Sequence, residues 1–328
     1  MISMEVAIRP RLDRADIAAI VRERLRTGDT RVVEHEEFVD GFFNAVHAVA
    51  LADGRCLVVK VAPDRDLRLL RYEVDLMATE IECFERASSV GVPMPKVWVA
   101  DPDAGLMIME RLHGVSLPKA KESMTAPELL ALRREIGALS ARLNTAEGDR
   151  FGYPRKSGRT ASASWADSFQ AMVDDLLADA DELGAALPRP TAEIRDLVLG
   201  HHSLLEEVRR PSLVHFDLWD GNIFVEQGED GWHVEGIIDG ERAFYGDALA
   251  ELVSLLLASP EENTAVIEGY LGREPSEGER RRLRLYQVYL WLILVVECEV
   301  RGFAPEQAAS QRAFGTENLV RDLAVLDD

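Results

Sequence analysis

Residues 213–252 read LVHFDLWDGNIFVEQGEDGWHVEGIIDGERAFYGDALAEL, and the reading of this stretch decides the fold. Two apolar runs, 222–225 and 234–238, flank a Gly- and acid-rich turn, QGEDG, which is a hairpin signal. His215, Asp217 and Asn222 fall just before the first strand, and Asp239 and Glu241 just after the second. Hairpin strands run antiparallel, so the start of one lies beside the end of the other. One end of a single hairpin therefore gathers an Asp, an Asn and a second Asp, all oxygen ligands or acceptors.

Such a group suits phosphoryl transfer. That reaction needs a carboxylate to orient an attacking hydroxyl and take its proton, and hard oxygen ligands for magnesium. Asp217 fits the first need, Asn222 and Asp239 the second. The stretch resembles the His-x-Asp-x-x-x-x-Asn and Ile-Asp motifs of the aminoglycoside phosphotransferase and choline kinase-like family, small-molecule kinases of protein-kinase-like fold. The matching residues are His215, Asp217 and Asn222, then Ile238 and Asp239, followed by Gly246-Asp247. The resemblance implies ATP, or GTP, with Mg2+. Under it Asp217 meets the acceptor hydroxyl, His215 braces the loop, Asn222 and Asp239 hold the metal, and Asp247 orients the catalytic loop.

Upstream, 44–51 and 56–61 are β-rich segments joined through Asp53-Gly54, a tight hairpin signal. Lys60 lies between Val59 and Val61 in the second. Lysines on half-exposed strands are ordinary, but this segment is similar to the family's Asn-x-Val, Asp-Gly-Arg and Val-x-Lys-Val pattern. The resemblance gives Lys60 the α and β phosphates, beneath a loop at 40–44 in which Gly41 and Asn44 approach the nucleotide. That loop departs from the family, since Phe42 and Phe43 follow its single glycine. Residues 67–87 form a helical pattern with Leu70, Val74, Met77 and Ile81 on one face. Within it, Glu73 is the expected ion-pair partner of Lys60, with Glu80 as its rival. Strands at 96–100 and 106–110 complete a unit of about five, and MIMERLHG resembles the family's hinge. There, backbone groups of Glu110 and Leu112 would meet an adenine edge.

The second half reads as mostly helical. Thr125 and Glu128 have capping-box spacing, and 164–184, 192–208, 247–257 and 283–296 carry helical patterns. Asn144 stands where the family usually has histidine and receives no catalytic role. Phe216 replaces the commonest glycine between His215 and Asp217, and Glu251 replaces a second aspartate. The expectation is an α+β, two-lobed protein-kinase-like fold: a β-rich N-terminal nucleotide-binding lobe over 1–110 and a mostly helical C-terminal lobe over 111–328 with the catalytic loop and acceptor site.

Bulk properties narrow the partners. With 58 acidic against 37 basic residues the formal charge is -21, which disfavours nucleic acid and anionic membranes and favours cationic small ligands. The acids at 174–182 are either a solvated face or a negative wall for such a ligand. Three widely spaced cysteines suggest a reducing compartment, and the N-terminus lacks an apolar signal region, so the cytoplasm is expected. The expected activity is O-phosphorylation of a small cationic acceptor such as an aminoglycoside or amino sugar. The rivals are the same chemistry on a choline-like molecule, ketosamine, macrolide or peptide antibiotic, and a catalytically silent nucleotide-binding scaffold.

Overall fold

The computed structural model describes residues 10–26, 28–38, 43–63 and 67–327. Its N-terminal part is an antiparallel sheet of strands β1 (Val32–Phe38), β2 (Ala45–Leu51), β3 (Cys56–Val61), β4 (Val97–Asp101) and β5 (Leu106–Glu110), in the order β1-β2-β3-β5-β4. Side chains alternate across a strand, so β3 sends Leu57 and Val59 to one face and Val58 and Lys60 to the other. Helix α1 (Arg14–Leu25) is started by reciprocal capping between Asp13 and Asp16, and it buries Ile17 and Val21 against Leu57, Val59 and Ile108 on the first face. Helix α2 (Leu76–Ser89) covers the second with Met77, Ile81 and Phe84, against Val58 and Met107. Lys60 is thereby buried facing α2.

The long helix expected from 67 starts nine residues late. Arg71–Glu73 form a single 3-10 turn, Val74 is extended and Asp75 is left-handed at φ 57°, so the helix begins only at Leu76. What precedes it is anchored elsewhere: Leu70 and Tyr72 are buried in the hydrophobic core of the C-terminal part.

That part is mostly helical. Strand β6 (Val115–Ser116) and α3 (Leu117–Ala120) lead to α4 (Ala126–Leu143), whose capping glutamate Glu128 accepts from the Thr125 N–H at 2.8 Å. Then come α5 (Trp165–Leu183), α6 (Thr191–Gly200), α7 (His202–Leu205) and β7 (Ser212–Val214). One helix was expected over 192–208, but the chain turns at His201 and makes two. Hairpin β8 (Ile223–Gly228) and β9 (Gly231–Ile237) pairs with β6, while β10 (Phe244–Gly246) pairs with β7. Helices α8 (Leu252–Leu255), α9 (Pro260–Leu271), α10 (Glu277–Val296) and α11 (Pro305–Asp327) complete the chain. Trp165, Tyr286, Tyr289 and Trp291 are fully buried at the centre of this core. No helix among the described residues is long and apolar enough to cross a membrane.

Candidate active site

Two loops make the site, and the pairing of four strands holds them together. Residues 215–222 join β7 to β8, and 238–243 join β9 to β10. Because β7 pairs with β10 and β8 with β9, the loops are clamped at both ends: Val214 faces Phe244, and Ile223 faces Ile237. The Ile238 N–H donates to the Asn222 carbonyl at 3.0 Å, and His215 Nε2 to the Ile238 carbonyl at 3.0 Å. Burial pulls the fully buried His215 imidazole down to about 4, which keeps it neutral as a donor bracing one loop on the other.

Each loop contains a non-glycine residue in the left-handed region, Phe216 at φ 67° and Asp239 at φ 66°. Such a conformation costs roughly 1–2 kcal/mol for an L-residue and persists where its surroundings enforce it. Phe216 is 1% exposed, packs on Phe244 and Tyr289 with centroids at 5.1 and 5.7 Å, and its carbonyl accepts from Ser254 Oγ at 3.0 Å. The large side chain thus lies in the core beneath the loop.

Lys60 is the hub of a cluster of three carboxylates. Its Nζ lies 2.7 Å from Glu80, 2.7 Å from Asp239 Oδ1 and 3.7 Å from Glu241. Burial pulls the ammonium down, but the carboxylates of Asp239, Glu80 and Glu241 outweigh it and hold the group above its ordinary value. Burial raises Asp239 too; Lys60, in contact, wins and holds it low, while Glu80 is pushed up, first by burial. The expected pair of Lys60 with Glu73 does not form. Glu73 sits before the break at Val74–Asp75 and turns to Arg301, 2.7 Å away. Glu80 falls in the buried stripe Met77, Glu80, Ile81 and Phe84 of α2, facing β3.

Asn222 donates its amide N–H to the Asp217 carbonyl at 2.8 Å, leaving its own carbonyl oxygen for a ligand. Glu80, Asp239 and Glu241 bring carboxylate oxygens within 4.8 Å of one another. An amide oxygen with carboxylates is a hard donor set, which fits magnesium better than a soft metal. Glu241 accepts from Asn44 Nδ2 at 3.0 Å, with Lys60 Nζ 3.7 Å away. Gly41 lies outside the described residues. At the hinge the N–H groups of Glu110 and Arg111 are committed to the carbonyls of Lys96 and Cys56 at 2.8 and 3.0 Å. An adenine there would have to meet the Glu110 carbonyl and the Leu112 backbone.

On the other side, burial pushes Asp217 up to about 7, opposed by Arg242 and assisted by Asp239 and Glu297. Arg242 Nη1 lies 3.6 Å from Asp217 Oδ1 and Nη2 lies 2.9 Å from Glu297. Sequence reasoning passed over Arg242, and also the true brace of the catalytic loop. Asp247 binds Leu249 N–H, Arg282 and Tyr286 instead. Glu251, fully buried, accepts from the His215 backbone N–H at 2.8 Å and from Asn144 at 3.3 Å. Asn144 also donates to the Leu213 carbonyl at 2.7 Å, so it holds the loop from below. The acids at 174–182 are largely paired: Asp174 with Arg195, Asp175 with Arg159, and Asp179 and Glu182 with Arg71.

The fold is that of protein-kinase-like kinases. A protein from Thermobifida fusca assigned as a fructosamine-3-kinase is 22% identical, with a TM-score of 0.67 over 94% of this chain and 100% of that one. A choline/ethanolamine kinase family protein from Mesorhizobium loti is 19% identical, with a TM-score of 0.63 over 95% and 98%. The ADP-bound aminoglycoside phosphotransferase APH(2'')-Ib is 17% identical, with a TM-score of 0.62 over 95% and 99%. No curated protein matches the sequence. The profile of the phosphotransferase enzyme family matches residues 34–286, and the chain belongs to that family.

Proposed function

We propose that this phosphotransferase moves the γ-phosphoryl group of Mg-ATP to a hydroxyl of a small molecule. The observation that carries the reading is the convergence of Lys60, paired with Glu80, and Asp239 on one side of the 238–243 loop with Asp217 on the other. Lys60 neutralises charge on the α and β phosphates. Asn222 and Asp239, with Glu241 in reach, would hold magnesium, which would supply charge neutralisation at the phosphates. Asp217 orients the acceptor hydroxyl. As the acceptor oxygen bonds to the γ-phosphorus, the bond from that phosphorus to the β,γ-bridging oxygen breaks, ADP leaves, and the hydroxyl proton passes to the Asp217 carboxylate. Consumption of ATP and three free thiols fit the cytoplasm.

The acceptor is a small molecule rather than a protein, because residues 240–246 between Asp239 and Asp247 form only a 3-10 turn and β10, with no long loop to seat a peptide. With the acids at 174–182 largely paired, the formal charge of -21 is what remains in support of a cationic acceptor. The acids that motivated it are engaged by Arg71, Arg159, Arg195, Lys60 and Asn44. The test is a screen with Mg-ATP against gentamicin, streptomycin, a fructosamine, choline, ethanolamine, a macrolide and uncharged sugars, with product masses read afterwards. Gain of one phosphoryl group by an acceptor, dependent on Mg2+, supports the reading. Absence of both product and Mg-dependent ATP binding would sink it.

A further inference from the structure

The turn Gly240–Arg242 sends two consecutive side chains in opposite directions. Glu241 points to Lys60 and Asn44, within the nucleotide side. Arg242 points the other way and begins a buried chain of alternating charge. It runs from Asp217 to Arg242 at 3.6 Å, to Glu297 at 2.9 Å, to Arg301 at 3.7 Å and to Glu73 at 2.7 Å. Each member beyond Asp217 is less than 10% exposed.

The far end is fixed. Glu297 also accepts from Gln311 at 2.8 Å and from the Tyr72 hydroxyl at 3.3 Å, and Arg301 lies over the Phe43 ring at 4.7 Å. Glu73 accepts the Leu70 backbone N–H at 2.9 Å. Arg242 is therefore held by an anchor that is itself braced from α11 and from the segment before α2. The near end is a single, longer contact. Among the described residues Arg242 is the one cation within 4 Å of the Asp217 carboxylate, an ion pair at 3.6 Å rather than a hydrogen bond. Glu297 takes one hydrogen bond from Arg242, whose Nε has no partner among the described residues and whose Nη1 is the nitrogen turned to Asp217, at 3.6 Å.

We propose that Arg242 is the positioning residue of the acceptor site: it holds one oxygen of Asp217 and leaves the other for the acceptor hydroxyl. The inference rests on the reading of Asp217 given above. The planar fork of arginine spans two carboxylates in fixed geometry, which a lysine cannot do. A shift of about 1 Å in a positioned group can cost about 100-fold in rate without touching the nucleotide site.

The experiment uses the full chain and water as the probe acceptor, following hydrolysis of saturating Mg-ATP, with Mg-ADP affinity by calorimetry as the control on folding and nucleotide binding. Arg242→Gln should lower kcat by about 10- to 100-fold, with KM for ATP and Mg-ADP affinity unchanged, and Arg242→Lys should recover part of the loss. In an Asp217→Asn background, Arg242→Gln should cost nothing further, because there is no carboxylate left to hold. Unchanged kcat in Arg242→Gln, or a full additional loss in the double variant, overturns the positioning role while leaving Asp217 in place. Unchanged hydrolysis in Asp217→Asn overturns the reading of Asp217 and the inference with it. Should Arg242→Gln fail to bind Mg-ADP, Arg242→Lys decides: a several-fold lower kcat with intact Mg-ADP affinity supports the role, and wild-type kcat refutes it.

Discussion

On the two sides of the 238–243 loop lie two charge arrays, one around Lys60 and one running from Asp217 through Arg242, and they are balanced differently. Around Lys60, one ammonium faces the three carboxylates of Glu80, Asp239 and Glu241. Along the other array, Asp217, Glu297 and Glu73 alternate with two arginines, Arg242 and Arg301. The first array is short of positive charge, and hard oxygens in surplus are what a magnesium-nucleotide complex requires. The second is nearly neutralised and cross-braced, which suits a frame that keeps one carboxylate in place. Underneutralised and adjustable on one side, paired and rigid on the other: the contrast teaches where a ligand charge is wanted.

The contrast breaks most severely if the first array is emptied. Asp239→Ala should lower phosphoryl transfer by about 10²–10³-fold or more and abolish the magnesium dependence of ATP binding, measured by titrating ATP with and without the metal. Retained turnover would mean that Lys60 and Glu241 suffice without it.

Two glutamates seven residues apart sharpen the comparison, because each belongs to one array. Glu80→Gln removes a partner of Lys60 and should reduce kcat/KM for ATP by about tenfold, a little over 1 kcal/mol of transition-state stabilisation, with modest change in stability. Glu73→Gln leaves Arg301 with only Glu297, and should destabilise the fold by about 3 kcal/mol while kcat/KM for ATP stays within about twofold of wild type. Denaturant unfolding and steady-state kinetics on both variants decide it. The reverse pattern would return the ion pair to Glu73.

A smaller effect should appear in stability against pH. Burial raises Glu251 to about 7, against the opposing hydrogen bonds from His215 and Asn144. In the unfolded chain this carboxyl ionises near its ordinary value of 4.5, and in the folded protein only near 7. Between those values the folded state binds more protons than the unfolded one. The stabilisation is therefore complete below about 4.5 and is lost as pH rises towards 7. Asp217 and Glu80, also raised, push in the same direction. Glu251→Gln should flatten the decline by on the order of 2 kcal/mol in urea unfolding between about pH 4 and about pH 8, on either side of the window. A slope identical to that of wild type would show that Glu251 ionises normally.

The smallest effect concerns the acids at 174–182. Since Asp174 and Asp175 are already paired with Arg195 and Arg159, neutralising both to Asn should change kcat/KM for a cationic acceptor by less than about twofold at low salt, as expected of partly exposed pairs. A large loss that vanishes at high salt would restore the negative wall.

What could be read from sequence follows the same division. His215, Asp217, Asn222 and Asp239 sit at the ends of two short apolar runs, so a hairpin rule alone brings them together. Lys60 was singled out by the resemblance of its strand to the family's Val-x-Lys-Val pattern, since its place in a strand left open which way it faced. Glu73 and Glu80 could not be separated, because at a spacing of seven they share one helical stripe with Met77, and the break between them falls at Val74–Asp75 with no glycine or proline to signal it. Arg242 stood in plain view, but its anchor Glu297 lies 55 residues on, past α10. Neither partner carries a local pattern that points to the other. Glu251 and Asn144 escaped for the same reason, being 107 residues apart. Short-range geometry was legible; long-range charge pairing was not.

Asp217 is the group proposed to meet the attacking oxygen. Its direct test is Mg-ATP turnover by Asp217→Asn beside wild type, on whichever acceptor of the panel gains a phosphoryl group and on water, with Mg-ADP affinity measured on the same samples. The prediction is a loss of about 10²–10⁴-fold in kcat with Mg-ADP affinity unchanged. Turnover near that of wild type would contradict it.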